Sequence, residues 1–280
     1  MIDGETRIMG VVGHPVSHTL SPAIQNAALE HFRMNVRYVA FAVPGNQLKK
    51  MAEAVRLLQM PGINVTLPHK ERIIPLLDEV SSVATRIGAV NTVVNRNGHL
   101  VGENTDYDGF LTTLRGLRAG SMKNALVLGS GGAARAVLAA LKDQGFQEII
   151  LSSRKFSRAK KTMADLGGKR FGEVVPWERR EGVRADLLVN ATPLGQRARD
   201  PLPASARSVR HARAAIDLVV RPRGTRWIAL ARSYGVAAEE GSVMLIAQGR
   251  ESFRLWFGKS PPLHVMQDAL RRAGGGGRTE

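Results

Sequence analysis

Residues 126–136 read LVLGSGGAARA: an apolar strand pattern, a glycine turn and an alanine-rich helix opening in one uninterrupted run. Gly129-x-Gly131-x-x-Ala134 after a strand and at the start of a helix is the context that a dinucleotide-binding fingerprint requires. Gly129 permits the tight turn, Gly131 lets backbone N–H groups approach a pyrophosphate, and Ala134 keeps helix and strand close. The helix N-terminus then stabilises phosphate charge, with Ser130, Gly132 and Ala133 completing the candidate cradle. A merely structural turn is the competing reading, and the strand–turn–helix context favours the nucleotide. A unit of this kind pairs parallel strands through crossover helices, which commits this part of the chain to an α/β class.

The rest of the sequence carries the same alternation. RIMGVVG (7–13) reads as a buried strand. SPAIQNAALEHF (21–32) reads as a helix with Ser21 as N-cap and Pro22 at the first helical position. VRYVAFAV is a strand, NQLKKMAEAVRLLQ a helix with apolar residues at helical spacing, and INVTL a strand again. Asn97-Gly98 between NTVVNR and HLVGEN is a hairpin turn. Beyond the glycine motif, EIILSSR, DLLVNATP and AAIDLVV supply further strands. The end of the chain reads as two helices, VMLIAQGRESFRLWF and PPLHVMQDALRRA, followed by GGGGRTE, a segment expected to be disordered. The expectation is two α/β domains with a cleft between them. Residues 1–106 with 241–280 form one, and residues 107–240 form a Rossmann domain.

Composition narrows the function classes. The chain has 280 residues, 44% of them hydrophobic, which fits a globular protein and not a disordered one. No apolar run reaches the ~20 residues that span a bilayer, and MIDGETRIMG lacks a signal-peptide pattern. Zero cysteines exclude disulfides and thiolate metal sites and fit a cytoplasmic enzyme. The net charge of +16 is spread along the chain, thickening between Arg179 and Arg232 without interleaved aromatics or a nucleic-acid motif. It reads as a basic surface that favours anionic small molecules, with no nucleic-acid or membrane partner. His14 and His18 are four apart, but Pro15 argues against a helix there and no third ligand matches, so no metal site is expected.

Cofactor choice is readable after the glycine motif. NAD-binding proteins place an acid about 20 residues on, where it holds the ribose 2′-OH. Here the strand ends Ser153-Arg154-Lys155, with Arg158 one turn later. The missing acid and the present cations favour NADP, through pairing with a 2′-phosphate; a basic loop in a basic protein is the plainer alternative. In GHPVSHTLSP, Thr19 and Ser21 lie beside a helix start and offer hydroxyls to a carboxylate, or Ser21 is simply a cap. NVTLPHKER (64–72) places Lys70 past a strand with a polar edge: a gatekeeping sheet-edge lysine, or a proton handler in a pocket wall. In GENTDYDGF, Asp106 either caps a helix or reaches Lys70 to make a proton-transfer pair.

Along nearly its whole length the chain resembles the shikimate dehydrogenase family, in the order GHPVSHTLSP, NVTLPHK, GAVNT, GENTD, GSGGAARA, SSRK, NATPLG, IDLVVRP and MLIAQGRESFRLW. The resemblance implies that Lys70 and Asp106 form the catalytic pair and that Thr19 and Ser21 bind the substrate carboxylate. It implies that Thr66, Asn91 and Gln248 hold substrate hydroxyls, and that Gly241 and Leu218 lie by the cofactor. The activity implied is reversible reduction of 3-dehydroshikimate to shikimate with NADPH, as a monomer or homodimer, in the biosynthesis of chorismate and the aromatic amino acids. A quinate-type paralogue and a non-catalytic ligand-binding regulator are the alternatives, the second disfavoured by the intact Lys70 and Asp106. Several positions depart from the family pattern. Thr19 stands for serine, Gln25 for a frequent histidine, Tyr107 for glycine, Ser153 for asparagine, Leu218 for methionine and Val243 for glycine. Pro193 and Gln196 differ from the usual serine and methionine. Val220 replaces the tyrosine that contacts the substrate carboxylate, so the carboxylate end of the pocket is where specificity is altered.

Overall fold

Strand β1 (Arg7–Gly13) is the run RIMGVVG, and its last five residues are buried. In the computed structural model, which describes residues 2–221 and 223–275, it pairs in parallel with β2 (Val36–Ala42) and β3 (Gly62–Val65). Between these strands run α1 (Ser21–His31) and α2 (Leu48–Leu57). Pro22 sits in the first turn of α1, where its missing N–H costs nothing. Helix α2 buries Leu48, Met51, Ala52 and Val55, one face at helical spacing, against a core that includes Ile63, Val65 and Val93.

The chain then adds β4 (Glu79–Val80), α3 (Ser82–Ile87), β5 (Thr92–Arg96) and β6 (His99–Glu103). β3, β5 and β6 are antiparallel neighbours, and the six-stranded sheet runs β2-β1-β3-β5-β6-β4. Asn97 and Gly98 both have positive φ (54° and 92°) between the paired residues Arg96 and His99. A two-residue hairpin with positive φ at both central positions is the reason for the Asn-Gly sequence.

A second sheet is built from β7 (Asn124–Leu128), β8 (Glu148–Ser153), β9 (Glu173–Pro176), β10 (Leu187–Asn190), β11 (Ala214–Asp217) and β12 (Ala237–Glu240). Helix α4 (Thr105–Gly116) precedes it. Helices α5 (Gly132–Asp143), α6 (Phe156–Asp165), α7 (Ala206–Arg210) and α8 (Arg226–Ser233) connect its strands, and α9 (Gly241–Phe257) and α10 (Leu263–Gly275) follow. All its strands are parallel, in the order β12-β11-β10-β7-β8-β9. That is the doubly wound order of a dinucleotide-binding fold, with its topological switch between β7 and β10. Helices on both faces explain why Ala125–Leu128 and Leu187–Val189 are fully buried apolar runs without alternation.

The described residues of Met1–Asp108 and Ile246–Glu280 form one compact unit, and Gly109–Leu245 the other. Of the segment GGGGRTE, Gly274 and Gly275 belong to α10; residues 276–280 lie outside the described residues. Among the described residues no helix is long and apolar enough to cross a membrane.

Candidate active site

The polar strand edge of NVTLPHK resolves into two roles. Strand β3 ends at Val65, and Asn64 is buried inside the unit. Past the strand the backbone turns: Thr66 N–H donates to Val12 O (2.8 Å) and His69 N–H to Thr66 O (2.9 Å). His69 is fully buried, and its Nε2 is 2.7 Å from Val43 O, so that nitrogen carries the proton and donates. Burial holds the imidazole below its ordinary pKa, in keeping with a neutral ring. The Lys70 carbonyl accepts from Val90 N–H at 2.8 Å. The backbone around Lys70 is thus fixed on both sides.

Lys70 Nζ donates to Asp106 Oδ2, and the two side chains are only 12% and 8% exposed. An ion pair so withdrawn from water is costly unless its remaining lone pairs are also satisfied. They are: Asn91 Nδ2 donates to Asp106 Oδ1 at 3.0 Å. The direction of the Asn91 amide is set by Thr105 N–H, which can only donate and lies 2.7 Å from Asn91 Oδ1. Asn91 Nδ2 also reaches Thr105 Oγ1 (2.9 Å) and Gln248 Oε1 (3.4 Å). Asp106 does not cap α4; Asn104 does, its Oδ1 accepting from Tyr107 N–H at 3.1 Å. The Asp106 carboxylate is therefore available to Lys70.

Lys70, Asp106, Asn91 and Gln248 are joined by direct hydrogen bonds, and Thr66 is tied to them through the turn backbone. Thr19 and Ser21 form their own pair. Thr19 Oγ1 lies 3.2 Å from Ser21 Oγ and accepts from Ser21 N–H at 3.3 Å. Ser21 is not the N-cap of α1: that position is Leu20, without a side-chain cap bond, and the Ser21 N–H goes to the Thr19 hydroxyl that precedes it. Gln25, buried on α1, donates from Nε2 to Gly249 O at 2.9 Å and so tethers α1 to the turn of α9 that carries Gln248.

In the second unit, Gly129 has φ +109°, and a Cβ there would meet Ala191 O at 2.6 Å. Only glycine lets the turns after β7 and β10 approach this closely. Gly131 is the N-cap of α5 and supplies no side-chain cap bond, so Gly132, Ala133 and the following N–H groups start a helix open to an anion. Ser130 Oγ donates to Ser153 Oγ at 3.0 Å, tying the glycine turn to the end of β8. Arg154, Lys155 and Arg158 are exposed there, and the side chains of Arg154 and Lys155 have no ion-pair partner among the described residues. Gly241 and Leu218 also come together: a Cβ on Gly241 would sit 2.5 Å from Leu218 O. These residues fit a dinucleotide with a 2′-phosphate.

Comparison with known proteins decides the family. Residues 11–93 match the family described as Shikimate dehydrogenase substrate binding domain, and residues 241–271 match Shikimate 5'-dehydrogenase C-terminal domain. A protein of Rubrobacter xylanophilus named shikimate dehydrogenase (NADP(+)) is 43% identical, across 98% of both chains. The crystal structure of shikimate dehydrogenase from Aquifex aeolicus superposes with a TM-score of 0.87 at 37% identity, covering 97% of this chain and 100% of that one. The Thermus thermophilus enzyme, solved in complex with NADP(H) and shikimate, gives a TM-score of 0.83 at 40% identity over 95% and 99%. The chain belongs to the shikimate dehydrogenase family.

Within that family frame, some polar residues were not singled out as functional by sequence reasoning. Thr92, Thr105 and Ser252 are buried around Asn91, and Tyr38 O–H donates to Asn64 Oδ1 at 2.6 Å. The usable signal was spacing: Ser252 lies one helical turn after Gln248 on α9. In the second unit, Asp217 is fully buried and accepts from Asn190 Nδ2 (2.8 Å), Thr225 Oγ1 (2.6 Å) and Val219 N–H (3.1 Å). Burial without a cation pushes its pKa up to about 6. Asn190 Oδ1 in turn accepts from Thr192 N–H and Oγ1–H, which shapes the NATPLG loop. No group of three metal-ligating side chains occurs among the described residues.

Proposed function

We propose that this chain is an NADP-dependent shikimate dehydrogenase, catalysing the reversible reduction of 3-dehydroshikimate to shikimate on the route to chorismate and the aromatic amino acids. The observation that carries the reading is the buried Lys70–Asp106 pair, braced by Asn91, in a chain whose second unit has the doubly wound strand order. Residues 1–106 with 241–280 serve as the substrate domain and residues 107–240 as the cofactor domain.

NADPH supplies a hydride to the ring ketone carbon when bound. The protein's task is position and a proton. Lys70 Nζ gives its proton to the ketone oxygen as that oxygen gains charge, and takes it from the hydroxyl in the reverse direction. Asp106 Oδ2 holds and orients the ammonium. Thr66, Asn91 and Gln248 hold the ring hydroxyls, while Thr19 and Ser21 take the substrate carboxylate. Gly129 to Ala133 accept the pyrophosphate, with Ser153, Arg154, Lys155 and Arg158 on the 2′-phosphate side and Leu218 and Gly241 beside the nicotinamide. The enzyme acts on a small molecule, in the cytoplasm, as a monomer or homodimer; the cysteine-free sequence supports that compartment.

Initial rates with shikimate and with quinate, each with NADP and with NAD, test the reading. The expected result is the highest kcat/KM for shikimate with NADP. Dominant quinate turnover would replace the substrate assignment, and no turnover of either would leave a binding protein.

A further inference from the structure

Behind Asn91 three hydroxyls close a ring. Thr92 Oγ1 lies 2.8 Å from Ser252 Oγ, Ser252 Oγ 3.0 Å from Thr105 Oγ1, and Thr105 Oγ1 3.2 Å from Thr92 Oγ1. The three come from β5, α4 and α9, and none is more than 1% exposed. Burying three hydroxyls is unfavourable unless each finds partners, so an apolar trio would pack this spot at less cost. What the ring does with its hydrogens supplies the reason for it.

Donors enter the ring from two sides. Asn64 Nδ2 lies 3.1 Å from both Thr92 Oγ1 and Ser252 Oγ, and its direction is fixed by its 3.1 Å bond to Asn91 O, a carbonyl that can only accept; Tyr38 O–H then donates to Asn64 Oδ1. Asn91 Nδ2 donates to Thr105 Oγ1. With amide hydrogens arriving, the ring can pass hydrogens outward to acceptors as well as between its own hydroxyls. The acceptors within reach are Asn91 Oδ1, 3.2 Å from Thr92 Oγ1 and 3.3 Å from Thr105 Oγ1, and Gln248 O, 3.0 Å from Ser252 Oγ. The ring thus links the Asn64 amide on one side to Asn91 Oδ1 and the helical turn of Gln248 on the other, and Asn91 is the group that donates to Asp106.

We propose that Thr92 and Ser252 are positioning residues for the acid–base pair. Acting through Asn91, they keep its Nδ2 on Asp106 Oδ1, so that Oδ2 meets Lys70 in one geometry. Neither residue bonds to Lys70 or Asp106, and the proposal rests on the assignment of those two as the proton-transfer pair. A site that must hold reacting groups within a fraction of an ångström needs such support behind it.

The test compares Ser252→Ala, Thr92→Val and Thr92→Ser with the parent in shikimate oxidation, reading kcat, KM for NADP, the pH profile of kcat and the thermal midpoint. Ser252→Ala and Thr92→Val, which delete a hydroxyl, are expected to lower kcat by roughly 10-fold and to displace the pH profile, with KM for NADP unchanged. Thr92→Ser, which keeps the hydroxyl and loses a methyl, should recover most of the parental kcat. A purely packing role gives the opposite order, since valine fills the threonine site and serine leaves a gap. Parental kcat and pH profile in folded Ser252→Ala would overturn the proposal, and so would Thr92→Ser falling as far as Thr92→Val. Should Thr92→Val not fold, Ser252→Ala decides alone. A parent without shikimate turnover sinks the functional reading and this inference with it; an active parent with unaffected variants sinks the inference only.

Discussion

At the scale of single residues, charge and its partners separate function from decoration. Of 40 lysines and arginines, Lys70 is held by a carboxylate that has a second donor of its own, while Arg154 stands exposed at the end of β8. Arg154 is assigned to the 2′-phosphate, so Arg154→Ala should cost NADP about 1.5–3 kcal/mol of binding, the worth of one charge-assisted hydrogen bond, and NAD almost nothing. Titrating both cofactors against both proteins reads the difference; equal losses would remove Arg154 from the cofactor site. Residue roles were unevenly legible in the sequence. Lys70 and Asp106 stood out through motif order, but the capping of α4 was ambiguous because Asn104 and Asp106 are both good helix-start residues. Only the contact of Asn104 Oδ1 with Tyr107 N–H separates them. In the same way Ser21 reads as a cap, whereas the N-cap position is Leu20 and the Thr19 hydroxyl accepts from Ser21 N–H.

Elements were most legible where local chemistry alone dictates the backbone. The strand–glycine–helix unit of β7 and α5 and the Asn97-Gly98 hairpin are of this kind, because positive φ leaves few residue choices. Short edge elements such as β4 and β12 were not legible. Two to four residues carry too little periodicity, and their pairing partners are distant in sequence. The hydroxyl ring was hidden for another reason: polar residues inside strands and helices read as solvent-facing until the tertiary fold closes over them. The glycine turn offers a direct check at this scale. Gly129→Ala puts a methyl 2.6 Å from Ala191 O at φ +109°, which should destabilise the protein by about 1–3 kcal/mol and weaken NADP binding together. Urea unfolding and cofactor titration measure both. A stable variant with parental affinity would mean that the turn has room it does not show here.

For the whole molecule, the net charge of +16 suits a protein whose ligands are anions, and association should slow as salt screens the field. One buried carboxylate leaves a mark on global stability. Asp217 is raised from 3.8 to about 6, burial being the largest cause and Glu240 adding to it. The folded state therefore binds the extra proton between those values, and stability falls as pH rises through this window, by up to about 3 kcal/mol. Asp165, Asp186 and Glu181 are shifted down and act in the opposite sense, losing their stabilisation only as pH drops below their ordinary values. Denaturant melts of parent and Asp217→Asn across about pH 4 to 6 should show the decline in the parent alone; parallel curves would contradict it. The central claim is that a proton passes through Lys70 in one unit while NADP is bound by the other. Lys70→Ala, with folding verified, measures it most directly. The expected result is a kcat for shikimate oxidation lower by at least ~10²-fold with NADP affinity unchanged, Asp106→Asn impaired as well, and the double variant far less damaged than the product of the singles. Near-parental turnover in folded Lys70→Ala would contradict the account.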